Sequence, residues 1–123
     1  MTSCDIIAFV AVRSVDVARG FYRDTLGLRL VSEDNFALVF DAKGTMLRAT
    51  LVPEVKPAPY TVLGWRVPDI VAAVKQLKAV GVELQRYPGL NDRDELGIWT
   101  SPSGARIAWF KDPDGNVLSI TQF

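Results

Sequence analysis

Residues 8–30, AFVAVRSVDVARGFYRDTLGLRL, and residues 63–84, LGWRVPDIVAAVKQLKAVGVEL, follow one plan. Each begins as an apolar strand, passes through a short turn carrying Asp into an amphipathic helix, and leaves that helix at a Gly between aliphatic residues. Val12 matches Val67 at an offset of about 55 residues. Neither copy is large enough to close its own core, so we expect the two to share one and to leave a cleft where they meet.

Length and composition indicate a single domain over residues 1–123. The chain is 49% apolar and 23% charged, which is ordinary for a compact domain. Its 14 basic residues balance 14 acidic ones and form no basic run, so we expect neither a nucleic acid nor a membrane surface as a partner.

The cysteine and histidine counts restrict the chemistry. Cys4 is the single cysteine, so an internal disulfide is excluded and a reducing compartment is favoured. No charged and apolar leader is visible at the start, and we therefore predict a cytoplasmic protein. The chain contains no histidine, which removes the usual base and the commonest metal ligand.

The pattern of apolar residues predicts two βαβββ modules and an α+β fold. The first module covers about residues 5–52, a linker with three prolines covers 53–59, and the second module covers about 60–123. The helices are predicted to begin after a cap at Ser14 and a cap near Pro68-Asp69, and to end at Gly27 and Gly81. Strands are predicted over residues 6–12, 28–31, 36–41, 46–52, 60–67, 82–86, 97–100, 105–111 and 117–121.

Two polar segments interrupt the second module. Residues 87–96 depart from the first copy, and we expect them to form a mobile loop. Residues 112–116, DPDGN, alternate oxygen-bearing side chains, but the Gly comes fourth and no bidentate Glu follows, so a tight turn is predicted rather than a calcium loop.

Two stretches resemble the vicinal oxygen chelate superfamily, the group of glyoxalases, bleomycin resistance proteins and extradiol dioxygenases. They are FYRDTLGL at residues 21–28 and WFKDPDGNVL at residues 109–118, and the resemblance extends over both halves. It implies a glyoxalase-like fold in which the two modules form a mixed, curved sheet around a cleft. It also implies a homodimer, which in some members exchanges halves at the connection corresponding to residues 53–59.

Metal-dependent members hold a divalent ion with a His on the first strand of each half and a Glu on the last strand. By the resemblance these positions are Ile7, Val62 and Ser119 in this chain. Aliphatic side chains have no lone pair to donate, so we predict no metal and no cofactor. The carboxylates of residues 92–95 are the remaining alternative for Mg²⁺ or Mn²⁺.

Strand alternation from those three positions predicts the residues that line the cleft. The predicted ligand-binding residues are Ile7, Phe9, Arg48, Val62, Arg66, Trp99, Trp109 and Ser119. If Arg48 and Arg66 face inward, their positive charges would suit a carboxylate or a phosphate. Both arginines are equally compatible with exposed strand positions. Trp65, one step out of phase, is expected to pack under its helix.

These observations favour a metal-independent binding protein for a small organic ligand, such as a drug or aromatic metabolite, over an enzyme. The alternative is a metal-dependent lyase, isomerase or dioxygenase of the same superfamily. A third hypothesis is metal-free chemistry in which tyrosines or loop carboxylates act as acid or base. The candidates for that role are Tyr22, Tyr60, Tyr87, Asp92 and Glu95.

Overall fold

The computed structural model describes residues 1–123, which divide into two compact units, Met1–Pro57 and Ala58–Phe123. Each unit has the order β-α-β-β-β, so the predicted α+β fold with two βαβββ modules is confirmed. Each unit contains one four-stranded sheet of mixed direction.

The first unit is ordered β1-β4-β3-β2 across its sheet, with β1 and β4 parallel and the other pairs antiparallel. Its elements are β1 (Ile7–Val12), α1 (Val15–Arg19), a π-helical segment (Gly20–Thr25), β2 (Arg29–Glu33), β3 (Ala37–Ala42) and β4 (Thr45–Leu51).

The second unit repeats this arrangement as β5-β8-β7-β6, with β5 and β8 parallel. Its elements are β5 (Leu63–Arg66), α2 (Ile70–Ala79), β6 (Trp99–Thr100), β7 (Arg106–Lys111) and β8 (Val117–Gln122). No helix in the chain has the length and apolar character that crossing a bilayer requires.

Both helices begin at the predicted caps. The Ser14 side chain accepts a hydrogen bond from the Val17 N–H at 3.2 Å, and the Asp69 side chain accepts one from the Ala72 N–H at 3.1 Å. Each cap satisfies a donor that the first helical turn would otherwise leave free.

The sheet of the first unit has one buried face and one open face. Leu38, Phe40, Leu47 and Ala49 are at most 1% exposed, and the Phe40 ring lies 5.8 Å from the ring of the fully buried Tyr22, centroid to centroid. The alternate residues point the other way, because side chains on a strand alternate between faces. This second face, the open face of the first unit, carries Ile7 and Phe9, which are 46% and 58% exposed.

The sheet of the second unit divides in the same way. Leu118, Ile120 and Phe110 are buried on the face that packs against α2. Trp65 lies on this face, where its ring stacks on Phe110 with the centroids 6.3 Å apart, in agreement with its predicted position. The opposite face, the open face of the second unit, carries Ser119, which pairs with Trp109 in the β7–β8 register.

The segment at residues 112–116 is a tight turn, as predicted. The Asp112 carboxylate accepts hydrogen bonds from the backbone N–H groups of Asp114 and Asn116, both at 2.9 Å. It also accepts one from the Asn116 side-chain amide at 2.8 Å. Its oxygens are therefore committed to holding the turn between β7 and β8.

Two predicted strand boundaries in the second unit are wrong. Residues 82–86 were expected to form a strand, but only Leu84 makes a β-bridge, to Phe110. Residues 60–62 were expected to begin β5, which starts at Leu63 instead. In both places residues that favour strands gave a strand pattern, but the ladder of hydrogen bonds to the neighbouring strand does not extend over them.

Candidate functional site

The second unit carries an open pocket of about 490 Å³. Its floor is the open face of the sheet and consists of Ile107, Trp109, Val117, Ser119 and Thr121. Its walls are the segment before β5 and the loop after residue 86, which supply Pro59, Tyr60, Thr61, Tyr87 and Leu90. None of these ten residues is charged, and the volume is within the range of small-molecule sites.

Three aromatic rings are grouped at this pocket. Trp109 lies between the other two, with its ring centroid 5.5 Å from Tyr87 and 6.2 Å from Trp99. The Tyr87 ring meets Trp109 edge to face at 86°, whereas the two indoles are tilted by 31°. Trp109 and Tyr87 both line the pocket, so it presents aromatic surface to a ligand.

Two side chains, Arg86 just before the loop and Asn91 in its middle, fix its position. The Arg86 guanidinium donates to the backbone carbonyls of Asn91, Asp94 and Glu95. The Asn91 side chain is 1% exposed; it accepts from the Tyr87 N–H at 2.7 Å and donates to the Gln85 and Gly97 carbonyls at 3.0 and 2.8 Å. The segment is therefore held more tightly than the mobile loop that its composition suggested.

The loop carboxylates cap backbone groups. Asp92 accepts from the Gly89 N–H at 3.0 Å, and Asp94 accepts from the Leu96 and Ile98 N–H groups at 3.0 and 2.9 Å. These contacts give the acidic residues a structural role in the loop that carries Tyr87 and Leu90.

The predicted ligand-binding residues are distributed over both units. Ile7, Phe9 and Arg48 lie in the first unit on its open face, where Phe9 is paired with Arg48 in the β1–β4 register. They do not line the pocket of the second unit.

The other predicted residues belong to the second unit. Trp109 and Ser119 line the pocket; Trp99 is not a lining residue but lies beside the Trp109 ring. Val62 is 40% exposed beside the pocket wall and donates its backbone N–H to the Val117 carbonyl at 3.0 Å. Arg66 does not line the pocket; its guanidinium carbon lies 5.4 Å from the centroid of the Phe123 ring.

Sequence reasoning placed no loop residue among the ligand-binding positions, although Tyr87 and Leu90 form a wall of the pocket. The sequence pattern indicates Tyr87 only as a candidate acid or base. Ile107 could have been found from Trp109, because residues two apart on a strand share a face. Nothing in the sequence pattern of residues 87–96 indicates which of its side chains turn toward the sheet.

The chain's donors do not fit the divalent ion of the metal-dependent relatives. At the positions that the resemblance assigns to metal ligands, the chain carries two hydrocarbon side chains, Ile7 and Val62, and the hydroxyl of Ser119. Residues 1–123 contain no group of three or more His, Cys, Asp or Glu side chains placed to hold a metal. The side chains at these positions do not supply the nitrogen, sulfur and carboxylate ligands that such an ion requires.

The architecture and the site define a class of protein: paired βαβββ modules with a pocket on an uncovered sheet face. The family model of the glyoxalase/bleomycin resistance protein/dioxygenase superfamily matches residues 5–120, and the chain belongs to this superfamily. A search of curated proteins gives no match.

Solved structures share the fold at low sequence identity. A glyoxalase/bleomycin resistance protein/dioxygenase from Alicyclobacillus acidocaldarius is 20% identical, with a TM-score of 0.71 and coverage of 98% of this chain and 92% of that one. A lactoylglutathione lyase from Agrobacterium tumefaciens is 17% identical, with a TM-score of 0.73 and coverage of 98% and 93%. A genomically encoded fosfomycin resistance protein from Listeria monocytogenes is 13% identical, with a TM-score of 0.77 and coverage of 100% and 95%.

Proposed function

We propose that this protein is a metal-independent binding protein for a small, planar organic molecule. The observation that carries the proposal is the pairing of Tyr87 with Trp109 on a pocket of about 490 Å³. Aromatic side chains bind flat apolar ligands through large contact areas, and a pocket of this size accommodates one drug-sized molecule. The superfamily to which the chain belongs includes both enzymes and proteins named for drug resistance.

The proposal is tested by titrating the protein with planar aromatic compounds and bleomycin-like drugs while recording tryptophan fluorescence. The three tryptophans of the chain all lie in the second unit, so the signal reports on that unit. Trp109→Phe should abolish most of the ligand-induced change, since Trp109 lines the pocket. Trp65→Phe is the matched control, because Trp65 lies on the helix-covered face and should leave the change intact.

Metal content separates this proposal from the enzymatic alternative. Purified protein should retain ligand binding after treatment with a chelator and dialysis. Stoichiometric Mn, Fe, Ni or Zn by elemental analysis, lost together with binding on chelation, would overturn the metal-independent assignment. Failure of every aromatic compound in the panel to bind would overturn the binding function itself.

We also propose that the protein acts as a homodimer in which the second copy covers the open face of the first unit. Ile7, Phe9 and Met46 form an apolar group on that face and are 46%, 58% and 41% exposed. A cluster of this kind on an accessible sheet is typical of an interaction surface.

The dimer is tested by light scattering at two protein concentrations. Phe9→Lys should shift the protein toward the monomer, because a charge would have to be buried in the contact. Phe36→Lys is the control, since Phe36 is 74% exposed and lies outside the strands. A monomeric mass for the unmodified chain at both concentrations would contradict the proposal.

A further inference from the structure

Five residues of the pocket lining carry a hydroxyl group, and among them only Ser119 is buried; the others are Tyr60, Thr61, Tyr87 and Thr121. Gly64 on β5 is the register partner of Ser119 on β8. A Cβ atom at Gly64 would lie 3.1 Å from the Ser119 Oγ and 3.7 Å from the Thr61 Cγ2. The absence of a side chain at Gly64 therefore leaves a notch beside the Ser119 hydroxyl, next to the wall residue Thr61.

The Ser119 hydroxyl has unused hydrogen-bonding capacity. Ser119 is only 6% exposed and lines the pocket, yet its hydroxyl has no hydrogen-bond partner within the chain. The hydroxyl oxygen is also accessible from the pocket. Every fully enclosed side-chain oxygen in the chain has a hydrogen-bond partner, so an oxygen without a partner is not fully enclosed. Buried hydroxyls are normally paired, so one that faces a pocket is suited to a ligand group.

The charge of the pocket restricts what that ligand group can be. No lining residue is charged, and Arg66 lies over the Phe123 ring rather than among the lining residues. An ionised ligand would lose its hydration without gaining an opposite charge, which is unfavourable. A neutral carbonyl, amide or hydroxyl would instead exchange one hydrogen bond with water for one with Ser119.

We propose that Ser119, left accessible by Gly64, is the polar subsite of the pocket and selects uncharged planar aromatic molecules with a hydrogen-bonding group at one edge. This inference rests on the proposed binding function and adds the chemical class of the ligand. The aromatic body lies against Tyr87 and Trp109, and the polar edge lies at Ser119.

Three probes with one ring system test the inference by equilibrium dialysis. They are 2-naphthamide, 2-methylnaphthalene and 2-naphthoate, which differ in carrying a neutral polar group, no polar group and a charge. The amide should bind about 2- to 10-fold more tightly than the methyl compound, as one net hydrogen bond allows, and the naphthoate should bind most weakly.

Two substitutions locate the effect at the notch. Ser119→Ala should bring the affinity for the amide down to that for the methyl compound and leave the latter unchanged. Gly64→Ala should also reduce the preference for the amide, because the added methyl group would crowd the Ser119 hydroxyl. Ser32→Ala, on β2 of the first unit, is the control for loss of a strand hydroxyl and should retain the preference. Far-UV circular dichroism checks that each variant is folded.

The outcomes separate the two proposals. If none of the three naphthalenes binds while another compound of the aromatic panel does, this inference is refuted and the binding function stands; if no compound of the panel binds either, both fail. If they bind with equal affinity, or if Ser119→Ala retains the amide preference, the subsite is refuted while the binding function stands. If 2-naphthoate binds most tightly, the assignment of an uncharged ligand is wrong.

Discussion

Substitution of Asn91 by Ala tests whether one buried side chain holds the wall of the pocket in place. The Asn91 amide makes three hydrogen bonds, to Tyr87, Gln85 and Gly97, at 2.7 to 3.0 Å, and the residue is 1% exposed. Each such bond contributes about 1 kcal/mol net, so their joint loss should lower the free energy of unfolding by about 3 kcal/mol. The corresponding decrease in Tm for a chain of this length is about 12 °C.

Denaturant unfolding followed by tryptophan fluorescence measures this loss. Asn35→Ala is the control, because Asn35 is an exposed turn residue and its removal should change the free energy of unfolding by less than about 0.5 kcal/mol. Asn91→Ala should also weaken ligand binding, since Tyr87 and Leu90 are attached to the segment that it positions. A destabilisation below about 1 kcal/mol would refute the reasoning, because the loop would then be held without these bonds.

Three other substitutions test a turn, a carboxylate and a pair of indole rings. Asp112→Ala removes the acceptor of three hydrogen bonds in a buried turn and should cost about 2 to 3 kcal/mol in denaturant unfolding; a loss below about 0.5 kcal/mol would contradict this. Two backbone N–H groups donate to Asp34 and hold its pKa below the ordinary value of about 3.9, so its charge stabilises the fold at neutral pH. The stability advantage over Asp34→Asn should therefore be present above about pH 4 and disappear as the pH falls through the lowered pKa; an advantage independent of pH would exclude this cause. Trp109→Phe should remove the near-UV circular dichroism signal from the coupled indoles of Trp109 and Trp99, whereas Trp65→Phe should retain it.

The repeated plan could be predicted from the sequence because it depends on short-range signals. Ser14 and Asp69 cap their helices through side-chain hydrogen bonds that depend only on residues three positions away. The alternation of β4 likewise places Leu47 on the buried face and Arg48 on the open face, which needs only the period of a strand.

The pocket wall could not be predicted because it depends on contacts between a loop and its surroundings. Tyr87 reaches the pocket because Asn91 accepts its N–H and Arg86 binds three carbonyls farther along the loop. Such contacts do not recur at a regular spacing along the sequence, so a periodic pattern of residues cannot predict them. The resemblance pointed instead to positions where relatives place metal ligands, and of these Ser119 lines the pocket.

The pocket arises where the second copy of the module departs from the first. In the first unit the connection from helix to strand is short, because the π-helical segment ends at Thr25 and β2 begins at Arg29. In the second unit the corresponding connection runs over residues 80–98 and supplies two of the wall residues, Tyr87 and Leu90. The two sheets have the same strand order, so the sheet alone does not account for the walled pocket on the second. A longer loop on a repeated scaffold therefore gives one copy a walled pocket, the site of the proposed ligand, and leaves the open face of the other copy free for the proposed dimer contact.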